Sequence, residues 1–149
     1  MEQLLMNSTS SQTFRKKRCV GYARVSTQEQ AEEGYSIDAQ IQTIQEYCQR
    51  ENMECVGVYV DRGKSGKNIK GRPEMQQLLH DAENGDFDAV VVWKISRVAR
   101  NLMNLLEIVN VLQKQDIAFY SISEKFQVDT TTGRFMLQIM ASVNELERN

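Results

Sequence analysis

The chain is poor in the residues that build most metal sites and most nucleophile–base pairs. Among 149 residues it has one histidine, His80, and three cysteines. A lone histidine inside an apparent helix excludes a site built from several imidazoles and gives no obvious histidine base. Cys19, Cys48 and Cys55 lie far apart in sequence with no C-x-x-C pair, so they read as small buried hydrophobes rather than as ligands or a disulfide set. No metal and no cofactor is expected. No run approaches the roughly 18 apolar residues of a membrane span. The first 18 residues have no apolar signal core, and their basic residues come last. A cytoplasmic protein without membrane contact is the expectation.

What the chain does have is segregated charge. The net charge is −2, which on average argues against a nucleic-acid partner. Yet Arg62 to Arg72 contains five basic residues and no acidic one, and Lys94, Arg97 and Arg100 form a second cluster. Acidic residues collect elsewhere, as at Glu29, Glu32 and Glu33. Local phosphate binding needs only such a local excess.

Periodicity orders the rest. Residues 1–18 read as a mobile polar tail, 19–130 as one α/β domain, and 131–149 as the start of a long helix. Cys19–Val25 predicts a strand. Ser36 is placed to cap a helix whose inner face is Ile37, Ile41, Ile44 and Cys48. Glu54–Val60 predicts a second strand. Pro73 opens a helix burying Met75, Leu78, Leu79 and Ala82, closed by Asn84-Gly85-Asp86. Ala89–Trp93 is a short apolar run of the kind covered on both faces. Leu102, Leu105, Leu106, Val109 and Leu112 mark a third helix, and Ile117–Ile122 another strand. The alternation predicts a mainly parallel sheet covered by helices, with the site beyond the carboxyl ends of the strands. From Thr131 onward, Phe135, Ile139, Val143 and Leu146 form a helical stripe, widened by Met136 and Met140, that suits core packing or a partner helix. With no terminating signal after Glu145, the helix reads as cut within a longer one.

Strand alternation puts Arg24 and Ser26 on one side of the chain, so a hydroxyl is offered beside a guanidinium. By residue type alone, a surface arginine and a capping serine would look the same. Arg97 and Arg100 share a face of a short helical segment, and would equally suit a solvated basic surface. Lys64, Lys67 and Lys70 suit a flexible charged loop.

Tyr22-Ala23-Arg24-Val25-Ser26-Thr27 with Gln30 resembles the signature of the serine recombinases, the resolvases, invertases and phage integrases. Further blocks follow in the family's order. These are Gln40 in Ile37-Asp38-Ala39-Gln40, Asp61, Lys64-Ser65-Gly66, Gly71-Arg72-Pro73 and Trp93 to Arg100. Thr132-Gly133-Arg134 and Glu145–Arg148 resemble parts of the long helix that forms the family's dimer interface and continues toward DNA. The string Gly34–Gln40 is most similar to the large integrases and transposon-mobilising enzymes. One departure stands out: Ser96 occupies a position where many members have aspartate, so no carboxylate role carries over to it.

The resemblance implies a resolvase-like fold and a reaction. Ser26 would be the nucleophile, with Arg24, Gln40, Arg72, Arg97 and Arg100 as catalytic partners and Tyr22, Asp61 and Ser96 as supporting residues. Lys64, Lys67, Lys70, Arg134 and Arg148 would meet DNA. The implied partners are double-stranded recombination sites and further copies of the chain, a dimer on each site and a tetramer in synapsis. The implied chemistry is a 5′-phosphoserine intermediate followed by strand exchange and religation. Replacing any of the arginines by alanine is expected to abolish cleavage while sparing the fold, on the premise that such arginines are exposed. Two other readings fit less of the sequence. One is a recombinase-like module kept for dimerisation or regulation, supported by Ser96. The other is a phosphotransfer or receiver-like domain, which would want acidic residues at the strand ends.

Overall fold

Strands and helices alternate through the computed structural model, which describes residues 16–25, 36–62, 72–99 and 101–128. The strands are β1 (Lys17–Val25), β2 (Met53–Arg62), β3 (Ala89–Val92), β4 (Ala118–Ser121) and β5 (Phe126–Val128). The helices are α1 (Ile37–Arg50), α2 (Pro73–Glu83) and α3 (Leu102–Lys114), with a single 3-10 turn at Ile95–Arg97. The sheet order is β2-β1-β3-β4-β5. The first four strands are parallel, and β5 returns antiparallel to β4. The expected α/β class and mainly parallel sheet are therefore present. The expected helix 131–149 lies outside the described residues.

Period-two alternation within the strands builds two cores, one on each side of the sheet. Val20 and Tyr22 of β1, Val90 and Val92 of β3, and Phe119 of β4 face α2 and α3, meeting Met75, Leu78, Leu105, Ile108 and Leu112. The intervening residues Cys19, Ala89, Val91, Ala118 and Tyr120 face α1 and meet Ile44 and Cys48. That is why Ala89–Val92 is apolar at every position: both faces of β3 are covered.

Local chemistry sets the helix ends. The Ser36 hydroxyl accepts from the Ala39 amide at 3.1 Å, and Pro73 begins α2, where a missing N–H costs nothing. Asn101 caps α3 through the Asn104 amide at 2.9 Å. Gly85 follows α2 with φ of 74°, a conformation that favours glycine.

Two expectations change. β1 begins at Lys17 rather than Cys19, because Lys17 and Arg18 already pair with Met53 and Glu54 of β2. On the other side the Arg18 main chain donates to the Asp88 carboxylate at 2.9 Å and accepts from the Asp88 amide at 2.8 Å. The three cysteines, separate in sequence, are not separate in space. Their sulfur atoms all lie within 4.8 Å of one another. All three are free thiols, Cys19 and Cys48 buried and Cys55 half-buried. Hydrogen bonding from Cys19 and then Cys48 holds the Cys55 thiol below its usual range. The Cys19 thiol is held far above it, first by its bond to Cys48, then by Cys55 and burial. Among the described residues no helix is long and apolar enough to cross a membrane.

Candidate active site

β1, β2 and β3 end on the same edge of the sheet, and the polar residues with the deepest burial gather there. Arg24, Arg72 and Arg97 are each no more than 1% exposed, and Gln40 and Asp61 are buried beside them. A buried guanidinium has to satisfy its donors, and here main-chain carbonyls do much of it. Arg24 donates from Nε to the Arg97 carbonyl at 3.0 Å and from Nη2 to the Ser96 carbonyl at 2.6 Å. Arg72, at the residue before α2, donates from Nη1 to the Val98 carbonyl. Side chains from two distant stretches thus grip three successive peptides of the turn that carries Arg97. A carbonyl orients a guanidinium without cancelling its charge, so positive charge is fixed in place by the fold.

The neighbouring groups keep this arrangement in register. Gln40, on α1, accepts from the Arg24 amide at 3.3 Å and donates to the Arg24 carbonyl at 3.1 Å. β3 stops at Val92, opposite Tyr22, so β1 runs past it. The Gln40 side chain offers the Arg24 main chain a donor and an acceptor, as a further strand would. The Asp61 carboxylate receives the Glu74 amide at 3.0 Å, the Met75 amide at 3.1 Å and the Tyr22 hydroxyl at 2.7 Å. It caps α2 from outside the helix, and a negative charge suits that end. Burial, and then the bond to Asp61, push the Tyr22 phenol above its usual range, so it remains a neutral donor. Trp93, at the end of β3, has Lys94 Nζ 4.5 Å and Arg97 Cζ 5.1 Å from its ring centroid, both within cation–π reach.

Residues 19–149 match the family model described as Resolvase, N terminal domain. The chain belongs to the resolvase N-terminal domain family. This resolvase domain is 39% identical to the N-terminal catalytic domain of TP901-1 integrase, with a TM-score of 0.79 over 89% of this chain and 97% of that one. It is 32% identical over 143 residues (96% of its own length) to a probable DNA-invertase, y4cG, of Sinorhizobium fredii. It is 30% identical over 129 residues (87% of its length) to the transposon Tn917 resolvase of Enterococcus faecalis. It spans 41% of the first of these relatives and 62% of the second.

Of the residues singled out in sequence, the resolvase domain brings Arg24, Gln40, Arg72 and Arg97 into one buried cluster, with Tyr22 and Asp61 against α2. Ser96 joins through its carbonyl while its side chain is exposed, a part that any residue type can play. Ser26, Lys64, Lys67, Lys70, Arg100, Arg134 and Arg148 lie outside the described residues. The premise that the arginines are exposed is overturned for Arg24, Arg72 and Arg97. Residue type gives no warning of this, because an arginine bonded to carbonyls reads in sequence like one in water. Trp93 was not anticipated as part of the cluster either, although a large aromatic between a strand and two cations is the one signal that pointed to it.

Proposed function

We propose that this chain is the catalytic domain of a serine site-specific recombinase, and that Ser26 is its nucleophile. The observation that supports this best is the convergence of the Arg24 and Arg72 guanidinium groups on the turn bearing Arg97, at the strand edge where β1 ends one residue before Ser26. Ser26 Oγ attacks a DNA phosphorus, the bond to the 3′ oxygen breaks, and a 3′ hydroxyl leaves. The 5′ phosphate is then held as a serine ester. Negative charge gathers on the phosphoryl oxygens during attack. Arg24, Arg72, Arg97 and Arg100 stabilise that charge, a task for which fixed guanidinium groups suit because they need no reorganisation. Gln40 is a positioning residue for the Arg24 backbone, and Asp61 and Tyr22 position Arg72 by holding the first turn of α2. The ester keeps the energy of the broken phosphodiester, so attack by a 3′ hydroxyl on the serine ester reseals the strand without ATP. The arginines take the charge-neutralising role, so the reaction requires no metal.

The substrate in this reading is double-stranded DNA at recombination sites in the cytoplasm, bound by a dimer at each site and recombined in a tetramer. Lys64, Lys67, Lys70, Arg134 and Arg148 supply DNA contacts. The direct test is covalent trapping. Protein incubated with its site DNA and then denatured should retain DNA through a 5′ linkage on residue 26, and Ser26→Ala should retain none. An adduct mapping to another residue, or surviving in S26A, overturns the assignment.

A further inference from the structure

At the opposite edge of the sheet, three thiols from three separate elements meet. Cys19 and Cys55 are each the third residue of a strand and face each other in register across β1 and β2. Cys48 lies in the last turns of α1, which packs over those strands. The Cys19 and Cys48 sulfurs are 2.8 Å apart, and all three lie within 4.8 Å of one another.

The backbone is irregular at this point. Cys19 pairs with Cys55, but the next pair is Val20 with Gly57, so Val56 is a one-residue bulge. A bulge reverses which alternate residues of a strand face a given layer. Before it, Met53 and Cys55 lie with the α1 core; after it, Val58 and Val60 do. Without the extra residue, Cys55 and the Val58–Val60 pair could not both face α1. Val56 itself is 49% exposed and adds nothing to the core. The bulge therefore turns the third thiol toward the other two.

We propose that Cys19, Cys48 and Cys55 form a three-thiolate binding site for a closed-shell thiophilic cation, zinc(II) or copper(I). Soft thiolate donors select these two ions over harder cations. With a metal–sulfur bond of about 2.3 Å, ligand sulfurs stand roughly 3.8 Å apart in tetrahedral geometry and about 4.0 Å in trigonal geometry. The Cys19–Cys48 separation is about 1 Å shorter than those values and no pair is farther apart than 4.8 Å, so small side-chain rotations reach them. Among the described residues the donor group ends at three. That number completes a trigonal copper(I) site, or leaves one zinc position for a solvent ligand entering past half-buried Cys55. Binding exchanges three thiol protons for the metal. The ion would tie β1, β2 and α1 together about 17 Å along β1 from Arg24, at 3.3 Å per residue. Its effect is to brace the fold rather than to take part in DNA chemistry, so its test is independent of recombination.

The test is titration of the reduced chain, without oxygen, with cadmium(II) as a spectroscopic stand-in. A thiolate-to-metal ultraviolet band should saturate at one equivalent with the amplitude of three thiolates, and Cys55→Ser should remove about a third of it. Zinc(II) and copper(I) should each displace cadmium. Competition against a zinc chelator and a copper(I) chelator then decides which ion binds more tightly, and that ion should raise Tm in the parent chain and not in C55S. A band that does not saturate at one equivalent, or is unchanged in C55S, overturns the proposal. So does a Cys19–Cys48 disulfide in protein purified without reductant, seen as a loss of two hydrogens and two titratable thiols.

Discussion

Arg24 carries two jobs at one residue, and they need to be separated when its variants are read. Its guanidinium holds the carbonyls of Ser96 and Arg97, and its own peptide is held by Gln40. Charged hydrogen bonds contribute about 1.5–3 kcal/mol each, and cutting them leaves buried carbonyls behind. Arg24→Ala is therefore expected to lower stability by about 2–4 kcal/mol as well as to abolish cleavage, measured as a fall in the urea midpoint at constant slope. A loss below about 0.5 kcal/mol, the usual size for an exposed site, would mean that the guanidinium is not anchored there. The motif around Arg24 was legible in sequence because its residues are adjacent. Its burial was not, because the partners are main-chain atoms 72 and 73 residues away, and main-chain atoms leave no mark in a sequence.

Elements were legible where a side-chain period or a cap fixed them. Ser36, Pro73 and Gly85 mark helix boundaries by chemistry that does not depend on tertiary context, and the apolar run of β3 announced two covered faces. β5 went unread because three residues with one buried position carry no period. The bulge at Val56 went unread because a single inserted residue is visible only against a partner strand. Gly21 shows how closely α1 sits on the sheet. A methyl group built at Gly21 would stand 2.8 Å from Ile44 Cγ2, and 3.3 Å from both Ile44 Cδ1 and Val58 Cγ2. Ile44 is fully buried and its Cγ2 is fixed to a branched carbon, so Ile44 and the part of α1 that carries it must give way. Gly21→Ala should cost about 1–3 kcal/mol of overpacking. In an Ile44→Ala background the same change should cost at least about 0.5 kcal/mol less, because the two sites are in contact. Additivity in that double-mutant cycle would show that the helix is not seated on Gly21.

For the whole molecule, the charge pattern and the fold bear on different steps of one reaction. In the proposed reaction the arginines fixed among peptides act on a single phosphate, whereas affinity for a duplex depends on how many phosphates are neutralised at once. With a net charge of −2, the chain has no large positive field to draw DNA in. The stretches Arg15–Arg18 and Arg62 to Arg72 carry unopposed positive charge, and in the second Lys64, Lys67 and Lys70 are the residues outside the proposed chemistry and the β2 end. Binding of this chain to duplex DNA should therefore be weak and indifferent to sequence, and it should fall steeply with salt. Each phosphate contact contributes about 0.9 to the slope of log K against log salt. Replacing Lys64, Lys67 and Lys70 together with glutamine should flatten that slope by up to about 2.7, by the same rule. The change should be equal on any duplex, since phosphate contacts position a protein without reading bases. Fluorescence anisotropy across a salt series on two unrelated duplexes measures both quantities. An unchanged slope would move the DNA contacts to another surface, and tight binding to one duplex alone would mean that these 149 residues read bases themselves.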